Sequence, residues 1–257
     1  MYWYDGKQID SGTIELSVNA PGLCYGATIF TTMRVHNRSL NDSLTYWQAH
    51  CDRLKLSIQA FDWQQPDWNR LKKGASVLSA RFPVLRMTIF PDGKEWITGR
   101  NLPSDLTSRQ SAGIVAWVAA ADLFQRKLAS HKTGNYLSAY LARNQAISHQ
   151  AQEAILTDPQ GNWLETSTGN LWGWQKDCWY TPLLDGNALP GIQRSHLLGY
   201  LQKNNIPVQE NVWTPEFVAQ LEAISYSNCV VELVPIRQVI YQNKLSNYSL
   251  RSMSINN

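Results

Sequence analysis

Residues that could bind and activate a small anion lie on predicted helices or in the loops next to predicted helices and strands. Lys132 follows a buried strand and a loop and precedes a helix, so its amine can project into a cleft and form an imine with an aldehyde. Arg53 lies on a predicted helix, and its guanidinium fork can bind two phosphate oxygens at once. Pro190-Gly191 places Ile192 and Gln193 at a helix start, where free N–H groups favour an anion. Taken singly, each of these residues could equally be an ordinary surface or structural residue.

Residues 1–108 are predicted to form a smaller N-terminal α/β lobe that positions Arg53. Alternating side chains and an Asp5-Gly6 turn predict a hairpin at the N-terminus. A helix is predicted where Leu44, Trp47, Cys51, Leu54 and Ile58 recur three and four residues apart, with Asp42 or Ser43 as its cap. The other predicted elements are the hairpin strands Tyr2–Tyr4 and Lys7–Ile9, a strand Ile29–Val35, a helix within Pro66–Ser79, and a strand Val84–Phe90 that ends at the Pro91-Asp92-Gly93 turn.

Residues 109–257 are predicted to form a larger C-terminal lobe that contains Lys132. A polar stretch, Asn101–Gln110, is predicted to lie near the linker. Helices are predicted over Leu137–Gln150, with Leu137, Tyr140 and Leu141 on one face, from Ile192 to about Lys203, and from Thr214-Pro215. The predicted strands are Ile114–Ala120, Glu153–Thr157, Trp163–Thr166, Asn170–Trp174, Cys178–Thr181, Ala223–Ser227 and Val230–Pro235. The fold class predicted from this order is α+β with two lobes.

The composition excludes several functional classes. The 257 residues are 44% hydrophobic and 17% charged, which is typical of a globular protein, and the net charge of +3 is too weak to indicate a nucleic-acid partner. The chain has neither a basic start followed by an apolar core nor an apolar run long enough for a membrane span. Its four cysteines and five histidines are scattered, which predicts reduced thiols, no metal site and a cytoplasmic location.

Six short motifs, taken in order, resemble one enzyme family. They are Tyr25–Val35 (YGATIFTTMRV), His50–Leu54 (HCDRL), Lys132–Leu137 (KTGNYL), Glu165–Leu171 (ETSTGNL), Leu189–Ile192 (LPGI) and Ser227–Cys229 (SNC). In this order and spacing they are similar to the fold-type IV pyridoxal-phosphate enzymes, a family that includes branched-chain aminotransferases, D-amino-acid aminotransferases and aminodeoxychorismate lyase. The resemblance covers nearly the whole chain and implies a two-lobed fold like that of D-amino-acid aminotransferase.

The resemblance implies pyridoxal 5'-phosphate as the cofactor and assigns its ring contacts. Lys132 matches the lysine that forms the Schiff base with the cofactor aldehyde. Glu165 matches the glutamate that keeps the ring nitrogen protonated, so that the ring remains a good electron sink. Tyr136 matches a tyrosine that hydrogen-bonds the phenolic oxygen, although it could instead be a core tyrosine.

The same resemblance assigns the phosphate contacts. Arg53 matches the family's phosphate arginine, and the backbone N–H groups of Ile192 and Gln193 match a phosphate-binding helix start. Cys229 stands where the family often has serine or threonine, and because a thiol is a weak donor we expect its backbone N–H to matter more. The resemblance also implies a homodimer and a small anionic substrate.

Within the family, two segments resemble aminodeoxychorismate lyase. The run Phe30–Val35 (FTTMRV) has Thr31 where the aminotransferases usually have glutamate, and Ser227–Cys229 replaces their Ser-Gly-Thr type of run. That lyase converts 4-amino-4-deoxychorismate to 4-aminobenzoate and pyruvate, a step toward folate. On a strand Thr32 shares a face with Phe30 while Thr31 points away, so Thr32 is predicted to act in catalysis beside Lys132.

Substrate contacts are predicted for Tyr25, Thr32, Arg86 and Asn228. Tyr25 should lie beside Thr32. Arg86, on a strand, is a candidate for binding a carboxylate, as is Arg34, although Arg86 could equally be a surface arginine. Two departures from the family pattern, Ala27-Thr28 and Pro91-Asp92, are expected to bear on substrate choice or subunit packing.

Two other functions fit the same motifs. One is an aminotransferase that acts on branched-chain or D-amino acids. The other is an inactive paralogue that binds the cofactor without turnover, but such a protein has no chemical need to retain Lys132, Glu165 and Arg53 together.

Lys132→Ala should abolish turnover, because no other group is placed to form the imine and carry the proton. Borohydride reduction of the holoenzyme followed by peptide mapping checks the assignment. The label should be found on Lys132, and a label on any other lysine would contradict it.

Overall fold

The computed structural model describes residues 1–251 and residue 253. Its helices are α1 (Pro21–Cys24), α2 (Trp47–Ala60), α3 (Trp68–Ser79), α4 (Leu106–Ala112), α5 (Leu137–Ser148), α6 (Ile192–Lys203) and α7 (Pro215–Val218). Its strands are β1 (Tyr2–Tyr4), β2 (Lys7–Ile9), β3 (Ile29–Arg34), β4 (Val84–Ile89), β5 (Glu95–Arg100), β6 (Ile114–Ala119), β7 (Glu153–Thr157), β8 (Trp163–Thr166), β9 (Asn170–Gln175), β10 (Cys178–Pro182), β11 (Val208–Asn211), β12 (Ala223–Asn228), β13 (Glu232–Tyr241) and β14 (Lys244–Asn247).

The chain divides into two compact units. The first contains Met1–Ser104 together with His131–Asn135, and the second contains Asp105–Ser130 together with Tyr136–Asn257. This division differs from the predicted lobes, 1–108 and 109–257, in one functional respect. Lys132 was predicted in the C-terminal lobe, but its short segment belongs to the first unit because it pairs with a strand there.

The first unit is an antiparallel sheet with helices on one face. The strand order is β2-β1-β5-β4-β3, so β3 lies at an edge. Every second side chain of β3 enters the core, as the two-residue period of a strand requires. The core between the sheet and helices α2 and α3 includes Trp3, Ile29, Met33, Leu54, Ile58, Leu71, Leu78, Leu85, Met87 and Ile97.

The second unit is built on a nine-stranded mixed sheet. The order is β11-β10-β9-β12-β13-β6-β7-β8, with β14 paired to β13. The pairs β6–β7, β6–β13 and β10–β11 are parallel, and the other pairs are antiparallel. Helix α6 packs Leu197 and Leu201 against Trp172, Trp174 and Trp179 of the sheet. The mixed architecture confirms the predicted α+β class.

Several local predictions need correction. Helix α2 begins at Trp47 and not near Leu44, because Asp42 caps a short 3₁₀ turn and Tyr46 then takes a left-handed φ of 54°. On α5, Leu137 and Tyr140 were predicted on the apolar face, yet both are 61% exposed, and the buried face consists of Ala139, Ala142 and Ala146.

In the part of the chain that the structure describes, no helix combines the length and apolar character needed to cross a membrane.

Candidate functional site

The segment that carries Lys132 extends the first sheet at its open edge. The N–H of Phe30 donates to the carbonyl of Lys132 at 2.8 Å, the N–H of Gly134 donates to the carbonyl of Thr28 at 2.6 Å, and Thr133 pairs with Ile29. Two backbone hydrogen bonds therefore fix the lysine's main chain against β3, although the segment lies in a loop between two helical stretches of the sequence. The register puts the side chains of Lys132 and Phe30 on the same face.

Thr28 and Gly134 are closely packed in this pairing. A Cβ at Gly134 would collide with the Thr28 hydroxyl and would lie 2.7 Å from the carbonyl oxygen of Gly26. Only glycine fits, so the second residue after the lysine has no freedom to be larger. Thr28 belongs to one of the two departures from the family pattern, and its contact explains how that departure bears on the lysine segment.

Phe30 lies between two cationic groups on the outer face of the first sheet. The ammonium of Lys132 is 4.9 Å from the ring centroid, and the guanidinium carbon of Arg86 is 3.6 Å from it. Thr32 is the direct cross-strand partner of Arg86. The first unit therefore collects Lys132, Thr32 and Arg86 on one face, with Arg34 two residues beyond Thr32 on that same face.

Thr31 faces the opposite way and has a different function. Its side chain is completely buried, and its Oγ1 lies 2.6 Å from Nδ1 of His50 on α2. This bond joins β3 to the helix that carries Arg53. Sequence reasoning placed Thr31 away from Thr32 but did not identify His50 as its partner.

Arg53 lies on a helical face that also contacts the lysine segment. Ser57, one turn after Arg53, has its Oγ 3.0 Å from Nδ1 of His131, and Phe61, one turn further, has its ring centroid 4.8 Å from that of His131. Residues four apart share a helix face, so α2 directs Arg53 toward the side on which His131 precedes Lys132.

In the second unit, Glu165 is held by two donors at the end of β8. Its carboxylate is nearly fully buried and accepts from the guanidinium of Arg126 and, at 3.2 Å, from the N–H of Leu189. The same guanidinium lies 4.6 Å from the ring centroid of Tyr136, which precedes α5. Glu165 and Tyr136 are thus brought together through a residue that the motifs did not indicate.

The start of α6 is tied to the strand that follows Glu165. The amide of Asn170 donates to the carbonyl of Leu189 at 2.8 Å, and a Cβ at Gly191 would collide with the oxygen of that amide. Gly191 provides no side-chain cap, so the first N–H groups of α6, at Ile192 and Gln193, keep the donor potential of an uncapped helix end. Both residues are buried.

Asn228 shapes a turn through both ends of its side-chain amide, and the substrate contact predicted for it remains a prediction. Its Oδ1 accepts from the N–H groups of Val230 and Val231 at 2.9 and 3.0 Å, and its Nδ2 donates to the carbonyl of Thr168 at 3.2 Å. Both ends of the amide are therefore used to shape the turn that contains Cys229. This turn follows β12 and is half-buried at Cys229.

A buried carboxylate supports the loop between Glu165 and Asn170. Glu153 accepts from the hydroxyls of Ser167 and Thr168 and from the N–H of Ala154. Burial raises the pKa of Glu153, and these hydrogen bonds oppose that rise only in part. The Ser-Thr pair of the ETSTGN motif is thus explained by a contact inside the protein.

One predicted residue, Tyr25, and two missed ones, Arg126 and His131, complete the description. Tyr25 ends α1 with 80% of its surface exposed, and its place beside Thr32 remains a prediction. Arg126 and His131 were missed by sequence reasoning. Arg126 lies in a loop without periodicity, and only its tertiary contacts distinguish it from the neighbouring Lys127. His131 directly precedes Lys132 in the sequence, and this position could have marked it as a candidate site residue.

Residues 28–239 match the amino-transferase class IV family. The chain belongs to this family. Aminodeoxychorismate lyase from Vibrio harveyi is 23% identical over 252 residues, which cover 92% of this chain and 90% of that protein. The branched-chain-amino-acid aminotransferase of Escherichia coli strain K12 is 32% identical over 261 residues, which cover 92% of this chain and 84% of that protein.

The fold is that of the fold-type IV enzymes, as predicted. A hypothetical aminotransferase from Mycobacterium tuberculosis, solved in a PLP-bound form, superimposes with a TM-score of 0.80 at 17% identity and covers 93% of this chain and 90% of its own. At this identity the likeness establishes the fold alone. The family and the fold are therefore settled, while the relatives divide between a lyase and transaminases.

Thr31→Val should lower the stability of the protein, because it leaves Nδ1 of the buried His50 without its hydroxyl partner. The expected loss is about 1–3 kcal/mol in the free energy of unfolding, which thermal unfolding would detect. Thr32→Val, on the half-buried face, is the matched control and should leave the melting temperature unchanged. Equal melting temperatures for wild type and Thr31→Val would contradict the importance of the Thr31–His50 bond.

Proposed function

We propose that this chain is a pyridoxal-phosphate-dependent lyase that converts 4-amino-4-deoxychorismate to 4-aminobenzoate and pyruvate. Pyridoxal phosphate is the cofactor expected for the family to which the chain belongs. The observation that carries the choice of reaction is the pair Thr31-Thr32. It has no carboxylate where transaminases of this family usually have a glutamate, and it places a hydroxyl opposite Arg86 on the face of Lys132.

The donor and acceptor groups fit the proposed cofactor. Lys132 supplies the amine for its aldehyde, and the carboxylate of Glu165 is an acceptor for a protonated ring nitrogen. The uncapped first turn of α6, at Ile192 and Gln193, is suited to a phosphate, as is the guanidinium of Arg53. We assign the backbone N–H of Cys229 to the phosphate and the hydroxyl of Tyr136 to the phenolic oxygen.

When bound, the cofactor serves as an electron sink for the bonds that break. We propose that the amine of Lys132 removes the proton from C4 of the substrate ring and later delivers a proton to the enolpyruvyl methylene as pyruvate leaves. Arg86 binds a substrate carboxylate, which a guanidinium fork does well. Thr32 holds a carboxylate or relays the proton beside Lys132.

A branched-chain aminotransferase is the second candidate. It is favoured by the relative at 32% identity, which is higher than the 23% of the lyase. Position 31 favours the lyase, since the Thr31 side chain is a buried hydroxyl hydrogen-bonded to His50, in place of a carboxylate. We also propose a cytoplasmic homodimer, as in the family resemblance.

Arg53→Ala should weaken cofactor binding by about tenfold to a hundredfold, the value of a charge-assisted contact to phosphate. The dissociation constant of pyridoxal phosphate, measured by absorbance titration, checks this. Lys55→Ala is the matched control, since Lys55 lies on the exposed side of α2 and pairs with Asp52. An unchanged dissociation constant for Arg53→Ala would contradict the assignment.

Incubation of the holoenzyme with 4-amino-4-deoxychorismate should release 4-aminobenzoate, and incubation with branched-chain or D-amino acids and 2-oxoglutarate should give no glutamate. Thr32→Val removes only the hydroxyl and should lower lyase kcat/KM by about one to two orders of magnitude. Thr31→Val should lower kcat/KM much less at a temperature where it remains folded. Transamination without 4-aminobenzoate would replace the lyase with the second candidate.

A further inference from the structure

A buried ion pair in the second unit adjoins the residues proposed to hold the cofactor ring. The side chains of Arg126 and Glu165 are 5% and 4% exposed. Arg126 also stacks over Tyr136 and makes a long hydrogen bond, at 3.4 Å, to the carbonyl of Ala129 in the loop that leads to Lys132. One guanidinium therefore contacts Glu165, Tyr136 and the carbonyl of Ala129.

The partners of Glu165 determine how its two oxygens take part in hydrogen bonds. A guanidinium has donors and no acceptor, so the oxygen that faces Arg126 must accept. The N–H of Leu189 is also a donor, so the second oxygen accepts as well. Glu165 thus accepts at both oxygens, and a carboxylate offers about four acceptor positions in all.

We infer that Arg126 is a positioning residue that orients and charge-balances Glu165 so that its carboxylate can accept a hydrogen bond from the ring nitrogen of the cofactor. The inference rests on the role proposed for Glu165 above. A buried carboxylate that loses its cationic partner tends to take up a proton, and a neutral carboxyl holds a cationic ring nitrogen less well than a carboxylate does. Arg126 disfavours that protonation.

The charged groups around Glu165 allow the effect to be isolated. A cavity of about 250 Å³ beside Glu165 is lined by Arg126, Lys127 and Asp158 among other residues. Lys127 is exposed, whereas Arg126 is paired within the protein. Lys127→Met therefore removes one positive charge from the same loop without removing the ion pair, and it is the matched control for Arg126→Met.

The experiment compares wild type, R126M, R126K and K127M, and repeats R126M in an E165Q background. Each protein is titrated with pyridoxal phosphate without substrate, and the absorbance of the bound cofactor is followed against pH. The linkage between Lys132 and the cofactor loses a positive charge as pH rises. The R126M substitution removes the guanidinium charge, or allows the ring nitrogen to lose its proton. Either loss of positive charge makes the protonated form of the linkage easier to keep, so the pH midpoint of the absorbance change should rise by about one unit.

R126M should also raise the cofactor dissociation constant about tenfold, R126K should give intermediate shifts, and K127M should give none. In the E165Q background R126M should shift the midpoint much less, because its partner is already neutral. Equal shifts in both backgrounds, equal shifts in K127M, or an unshifted R126M would each overturn the inference. A lyase assay that fails while these shifts hold would overturn only the proposed reaction, and a wild type that binds no cofactor would overturn the cofactor roles themselves.

Discussion

The backbone pairing between β3 and the segment around Lys132 is the constraint on which the candidate site depends. A lysine in a loop has many accessible positions, and a long side chain adds further rotamer freedom. The bonds from Phe30 to Lys132 and from Gly134 to Thr28 remove the main-chain part of that freedom. They also satisfy backbone groups at the open edge of β3, which would otherwise be an exposed template for pairing. The same two hydrogen bonds thus pair the backbone groups at the edge of β3 and fix the main chain of Lys132.

The two-residue period of β3 then separates two tasks. On one face Ile29, Thr31 and Met33 enter the core, where Thr31 fixes His50 and hence the helix with Arg53. On the other face Phe30 and Thr32 lie beside Lys132 and Arg86. A shift of one residue in the register of this strand would place both threonines wrongly at once. Such a shift is resisted because it would turn the buried Ile29 and Met33 out of the core.

Much of this arrangement follows from local sequence signals, and the rest depends on contacts between distant residues. The hairpin at Tyr2–Ile9 and the helix at Ile192–Lys203 agree with prediction, because turn chemistry and a Pro-Gly start are local signals. The exposed face of α5 was misjudged because its core side consists of small alanines, whose packing against β6 and β7 is decided by the sheet. Lys132 was proposed as the imine-forming lysine from its motif neighbours. Arg126 was not, because its partner Glu165 lies 39 residues away and no spacing rule joins a loop arginine to it.

The position that best separates the two candidate reactions acts indirectly. Thr31 replaces the glutamate that transaminases of the family usually have, yet its side chain is turned away from Lys132 and is fully buried. A glutamate at this position, with the backbone unchanged, would put a carboxylate in the core, where the desolvation of a charge is costly. This chain has instead a neutral hydroxyl that bonds the imidazole at 2.6 Å. The difference between the lyase and the transaminases would then lie in how β3 and α2 are joined. It would set where Arg53 and Thr32 are held, and would not depend on a carboxylate that touches the substrate. In the proposed lyase, Thr32 would therefore contribute its hydroxyl, and Thr31 would allow β3 to lie against α2 without a buried carboxylate.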